Sequence, residues 1–224
     1  MASPAFARLF LRPRTTMRWV LDDDPNFGVT SISVVAGITA FLRSSVLHGL
    51  HPMPGLAGLH PQLDAILAYG VGATPNYPLL IAALGIAGGL FGVLGIYLGT
   101  LPLWIIGKIF GGRGRYAEVR SALAWSFVPY SWLLPLWIGM AFFEGAQLRQ
   151  AGFDYTSFFP PDGSSVVLWG LFGLDYALRL FAMVWLVLKL SVAHRFEIWK
   201  AIVVAALSGS VLIYLVPRFY SLGF

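Results

Sequence analysis

From Leu79 to Ile106 the chain runs for 28 residues without a single Asp, Glu, Lys, Arg or His. A helix of that length is roughly 42 Å long and apolar on every side, so it needs an apolar solvent around it. It is too long to cross a hydrocarbon layer of about 30 Å upright and too short to cross it twice. One tilted or kinked membrane helix fits best.

Four further apolar runs share that reading. Val29–Leu50 is interrupted by Arg43, and Ser121–Phe143 is uncharged; Val166–Leu188 carries Asp175 and Arg179, and Ile198–Val216 carries Lys200. With 58% hydrophobic and 11% charged residues, the chain has too little polar surface to cover a soluble globule. Alternation of period two is absent, which argues against a β-barrel. The sequence therefore predicts an all-α polytopic bundle: a short amphipathic arm over residues 1–28, then one domain over 29–224 with five transmembrane helices near 29–50, 79–106, 121–143, 166–188 and 198–216.

Basic residues in the connecting segments orient such a bundle. Arg8, Arg12, Arg14 and Arg18 fall in the arm; Lys108, Arg113, Arg115 and Arg120 in the second loop; Lys189, Arg195 and Lys200 in or beside the fourth, where His194 reads as a solvated loop residue. The opposite side holds only Arg149 and Arg218. This distribution predicts a cytoplasmic N-terminus and an outer C-terminus, and dividing Leu79–Ile106 into two spans would destroy it. In the arm, Phe6, Leu9, Phe10, Met17, Val20 and Leu21 sit at helical spacings beside arginines, the pattern of a short helix lying on anionic headgroups. The run Asp22-Asp23-Asp24-Pro25 reads as its solvated terminus.

Two glycine patterns stand out. Gly85, Gly88, Gly89, Gly92, Gly95 and Gly99 recur at three- and four-residue steps, including G-x-x-x-G pairs, which predicts close helix packing at the centre of the bundle. GKIFGGRGR, Gly107–Arg115, imitates the spacing of a phosphate-binding loop, but Arg113 stands where that loop has lysine and Gly114 where it has a hydroxyl. No strand pattern precedes it. The expectation is a turn built on Gly111, Gly112 and Gly114, with Lys108, Arg113, Arg115 and Arg120 as a basic patch beside anionic headgroups and no nucleotide bound.

Groups for chemistry are few. The absence of cysteine excludes thiol catalysis and cysteine–zinc sites. His48, His51 and His60 cluster with Asp64 on the outer side, a zinc-compatible ligand set, but Pro52, Pro54 and Pro61 interrupt the segment and interfacial histidines are the expectation. Inside the spans stand Arg43, Asp175 and Arg179, the latter two at i, i+4 and able to pair. A carboxylate between two arginines is held ionised, which suits a structural clamp better than a general base. No catalytic residue, metal or cofactor is expected.

The order R-x-x-x-R-x-x-LDDDPNFG, then a long glycine-rich span ending LGTLPLWIIGKIFGGRGRYAEVRSALAWSFVP, then VAHRFEIWKA before a last span, resembles the Yip family of five-span membrane proteins, in particular its bacterial branch. The most specific matches are Gly111–Gly114 through Ala124-Trp125-Ser126 and Pro129, followed by Arg195-Phe196 and Trp199-Lys200-Ala201. The resemblance implies five helices, a basic cytoplasmic face and, for eukaryotic members, interaction with Rab-type GTPases. This sequence departs from those members in lacking their long polar cytosolic N-terminal region, so the architecture carries over and the carry-over of GTPase binding is in doubt.

The expected function is that of a noncatalytic multi-pass protein of a bacterial inner membrane. It would act as an interaction or membrane-organising factor on anionic lipid, on other membrane proteins or on itself, without nucleic acid. The alternative is a small transporter or lipid-handling protein using Arg43, Asp175 and Arg179.

Overall fold

A computed structural model describes residues 13–47, 77–139 and 165–221. Seven helices account for nearly all of them: α1 (Pro13–Asp23), α2 (Val29–Leu47), α3 (Tyr77–Ile109), α4 (Tyr116–Ser126), α5 (Val128–Ser131), α6 (Ser165–His194) and α7 (Ile198–Ser221). No strand occurs among the described residues. Two stretches, Gly85–Ile109 and Gly173–His194, are long and apolar enough to cross a membrane, and Val29–Arg43 and Ile198–Leu212 are shorter apolar helices. Ile86, Leu90, Phe91 and Leu94 on α3, with Leu180, Met183 and Val184 on α6, turn large side chains outward. Such a sheath of exposed apolar groups requires lipid for solvent.

The uncharged run is one continuous helix, α3, of 33 residues despite Pro102 in its interior. Its main partner is α2. There the two backbones touch: a Cβ on Gly37 would lie 2.1 Å from Gly88 O and 2.5 Å from Gly92 Cα, and one on Gly92 would lie 2.2 Å from Ser33 O. Backbone cannot yield as a flexible side chain can, so Gly37, Gly88 and Gly92 set the interhelical distance. Gly89 packs on Val34 and Gly99 on Leu123, whereas Gly85 and Gly95 meet nothing among the described residues. The expected packing stripe is thus narrower than the six glycines, and its partner on α2, Gly37, has no glycine repeat to mark it.

The uncharged run from Ser121 is not the single helix the sequence predicts. It breaks at Phe127 into α4 and α5, turns again at Trp132–Leu133, and resumes as helix over residues 134–139. Pro129 is the cause within the run, because it has no N–H to offer the Trp125 carbonyl four residues back. At the other boundary, α6 continues past Leu188 to His194.

α1 also departs from expectation. Met17 and Val20 are each 1% exposed and join Val119, Trp125, Leu190, Ala193 and Ala201 in the main core. The apolar face read as lying on headgroups covers the bundle instead. Asp24 then ends the helix as predicted, its carboxylate accepting from the Asn26 N–H at 2.8 Å. A second, smaller core of Leu42, Tyr130, Leu133 and Trp137 lies toward the other end of the bundle. Arg8, Arg12, His48, His51, His60, Asp64 and Arg149 lie outside the described residues.

Candidate functional site

The end of the bundle that carries GKIFGGRGR, the turn end, is assembled around His194. The sequence predicts a solvated loop residue here; His194 is instead fully buried as the last residue of α6. Its ring stacks on Phe196 with centroids 5.0 Å apart, and Nε2 lies 3.3 Å from Leu103 O. The turn glycines make room for it. A Cβ on Gly107 would stand 2.2 Å from Nε2, and one on Gly112 2.3 Å from Nδ1; one on Gly114 would meet the Ala193 carbonyl at 2.7 Å. Gly111 supplies the bend itself, with φ +82°.

The same turn engages its own amides. Gly112 N–H donates to Gly107 O at 2.8 Å and Arg113 N–H to His194 O at 3.0 Å, so two amides that a phosphate would need are already spent.

The expected basic patch separates into two kinds of residue. Lys108, Arg113 and Arg115 are exposed. Arg120 is only partly exposed: it donates to Asn26 Oδ1 and lies over the Tyr97 ring at 4.5 Å, so it serves the fold. Tyr116 hydrogen-bonds Tyr97 O at 2.7 Å beside it, and burial raises its phenol pKa above the usual value.

Lys189, counted by sequence with the loop charges, is 1% exposed. Its Nζ donates to Trp125 O at 2.6 Å and lies 4.3 Å from the centre of the Trp185 ring. The acceptor is the carbonyl that Pro129 leaves without an amide partner. A helix break on one strand of the bundle is thus completed by a lysine from another.

Nearer the other end, Arg43, Asp175 and Arg179 meet. Asp175 is fully buried; Arg43 Nε reaches its Oδ2 at 2.8 Å and Arg179 Nε the same oxygen at 3.1 Å. The two arginines are not equivalent. Arg43 makes an aligned hydrogen bond, whereas the Arg179 approach is an ion pair without that alignment. Arg179 also reaches Tyr130 Oη at 3.5 Å, a long contact, and lies over its ring at 5.4 Å. Tyr130 escaped sequence reading because an aromatic in an uncharged run carries no mark of a polar partner. Among the described residues no group of three or more His, Cys, Asp or Glu could hold a metal ion.

The residues that meet at the turn end are those by which the sequence resembles a known family, and a family comparison agrees. The family model described as the Yip1 domain matches residues 7–217, nearly the whole chain. The chain belongs to the Yip1 family. No curated protein and no solved structure matches it. As a Yip1-family membrane protein it brings the segments from Gly111 to Pro129 and from His194 to Ala201 together: Arg113 N–H bonds His194 O, and Arg195 approaches Glu118 at 4.0 Å.

Proposed function

We propose that this Yip1-family protein is a noncatalytic, five-span protein of a bacterial inner membrane. Its turn end faces the cytoplasm, and it works as an interaction or membrane-organising factor. The observation that carries the reading is where the cations stand. Arg14, Arg18, Lys108, Arg113, Arg115 and Arg195 are all exposed at the turn end. Arg14, Arg18 and Arg195 line a cleft of about 470 Å³ there, together with Asp22 and Glu118. Anionic headgroups, a second copy of the chain or the acidic surface of another membrane protein suit such a face.

The directions of the helices support the same topology. The starts of α2, α4 and α7 and the ends of α3 and α6 gather at the turn end, as successive crossings require. A polar solute carrier is less well supported, because the cleft that reaches Arg179 is lined mostly by apolar side chains.

Since the chain has no cysteine, Arg113→Cys and Gln150→Cys variants can be labelled in intact cells with a membrane-impermeant thiol reagent. Gln150→Cys should react from outside and Arg113→Cys only after permeabilisation. Reaction of both from the same side overturns the five-span topology and the cytoplasmic role built on it.

A further inference from the structure

Two clefts share Ala40, Phe127, Tyr130, Met183 and Leu186 as walls, so they adjoin. The larger, about 770 Å³, runs between α2, α3, α6 and α7; the smaller, about 360 Å³, ends at Arg179. Along α3 the larger cleft extends from Gly92 to Leu103. At a rise of 1.5 Å per residue that is about 16 Å, half the thickness of a hydrocarbon layer of about 30 Å. The cleft has the length of the acyl region of a single leaflet.

Its lining decides what can occupy it. Small residues, among them Gly95, Gly99, Ala205 and Gly209, widen it, and nearly all the rest are apolar. Met183, Val184 and Ile202 line it and are themselves exposed, so the cleft opens toward the bilayer, where water does not reach. A polar solute would lose its hydration without gaining partners. A hydrocarbon chain loses nothing there, and the surrounding bilayer supplies one.

The end at Arg179 adds a charge. Two guanidinium groups face one carboxylate, leaving the triad with a net charge of +1. Arg43 is committed to Asp175 by an aligned bond. Arg179 lines the cleft with its side chain 41% exposed, and its only hydrogen bond among the described residues is the 3.5 Å contact to Tyr130. Donors of that guanidinium remain available to an anion, and a guanidinium matches phosphate oxygens well.

We propose that the two adjoining clefts act as one binding site for one anionic phospholipid, its acyl chain lying along Gly92–Leu103 and its phosphate held by Arg179. The site rests on the bundle's being in a bilayer and is independent of which partner meets the turn end.

The glycines provide a direct test. A Cβ on Gly95 or on Gly209 would meet nothing within 4 Å, although both residues line the cleft. Leucine at either position therefore places its Cβ clear of every described neighbour and carries the rest of its side chain into the space of the cleft. The purified full chain is titrated in mild detergent with phosphatidylglycerol or phosphatidylcholine of identical chains, and bound lipid is counted by native mass spectrometry. The wild-type protein should retain one phosphatidylglycerol, with about a tenfold preference over phosphatidylcholine, as expected of one charge-assisted contact. Gly95→Leu and Gly209→Leu should each reduce retention of both lipids about tenfold with an unchanged melting midpoint. Arg179→Gln should abolish the preference while leaving phosphatidylcholine retention as it was.

Undiminished retention in the leucine variants, or an undiminished preference in Arg179→Gln, overturns the proposal. A measurement on the unaltered protein stands beside these. Phosphatidylglycerol with brominated chains should quench tryptophan fluorescence saturably at one lipid per chain, and equal quenching by brominated phosphatidylcholine overturns it as well. These outcomes are separate from the labelling result, which tests topology.

Discussion

The two ends of the bundle both bury charge, and they neutralise it by opposite means. At the turn end Lys189 meets no carboxylate among the described residues; it is held by the Trp125 carbonyl and by the faces of Trp185 and Trp125. At the triad end Asp175 is held by two cations, Arg43 and Arg179. The packing around them differs in the same sense. The turn end closes on His194 so tightly that a Cβ on any of three glycines would clash, while at the triad end a cleft of about 360 Å³ reaches Arg179. A locked end beside an open one is what a protein needs if one face is to be presented rigidly and another is to admit lipid.

The largest effect should come from the triad, because removing one partner of a buried pair leaves the other charges uncompensated, at a cost of about 3–5 kcal/mol. Asp175→Asn should lower the melting midpoint in detergent by more than the double change Asp175→Asn, Arg179→Gln does, since the double change removes one of the two stranded cations. Losses that simply add would mean that the arginines never depended on Asp175.

The lock at the turn end should break next. Gly107→Ala places a methyl group whose three nearest atoms all belong to the His194 ring, and overpacking of this kind costs about 1–3 kcal/mol. His194→Ala should rescue much of that loss in a double-mutant cycle. Gly112→Val should resist the same rescue, because its Cβ also meets Gly107 O at 2.7 Å, and backbone remains when the ring is gone. Equal rescue at the two positions would mean that His194 is not what the glycines accommodate.

These two sites also mark how far the sequence could be read. The triad was legible because charge inside an apolar run is costly, so Arg43, Asp175 and Arg179 announce themselves and the i, i+4 step pairs two of them without any tertiary knowledge. The lock was not. It joins residues more than eighty positions apart, and α6 runs one and a half turns beyond its apolar stretch, so Lys189 and His194 read as loop residues. The long span α3 was read correctly as one helix from length alone. The break in the run from Ser121 was available in Pro129, but an uninterrupted apolar pattern outweighed it. Which of the six glycines touch α2 depends on the rotation of one helix against another, a quantity that spacing within α3 does not contain.

A smaller effect tests whether Lys189 is placed by the helix break. Lys189→Met should cost about 1–3 kcal/mol, the penalty of leaving the buried Trp125 carbonyl without a donor. Pro129→Ala restores a backbone N–H four residues after that carbonyl. In the Pro129→Ala background, Lys189→Met should therefore cost less, by melting midpoint, than it does in the wild type. An equal cost in both backgrounds would show that the lysine is held by the tryptophan rings and not by the orphaned carbonyl.

The smallest effect concerns the outer surface of the locked end, where the exposed cations and Arg120 should part company. Each cation beside an anionic surface contributes roughly 1 kcal/mol, about fivefold in association, and salt screens it. Arg113 and Arg115 are exposed, so changing both to glutamine should reduce enrichment of labelled phosphatidylglycerol around the protein in mixed bilayers, with the difference disappearing at high salt and the melting midpoint unchanged. Arg120 is bound to Asn26 and covers Tyr97, so Arg120→Gln should do the reverse, lowering the midpoint while leaving lipid enrichment nearly intact. Were Arg120→Gln to reduce enrichment as strongly as the paired change at constant midpoint, all the basic residues of the turn would form one lipid-facing surface, and the division of that end into a locked interior and a free exterior would fail.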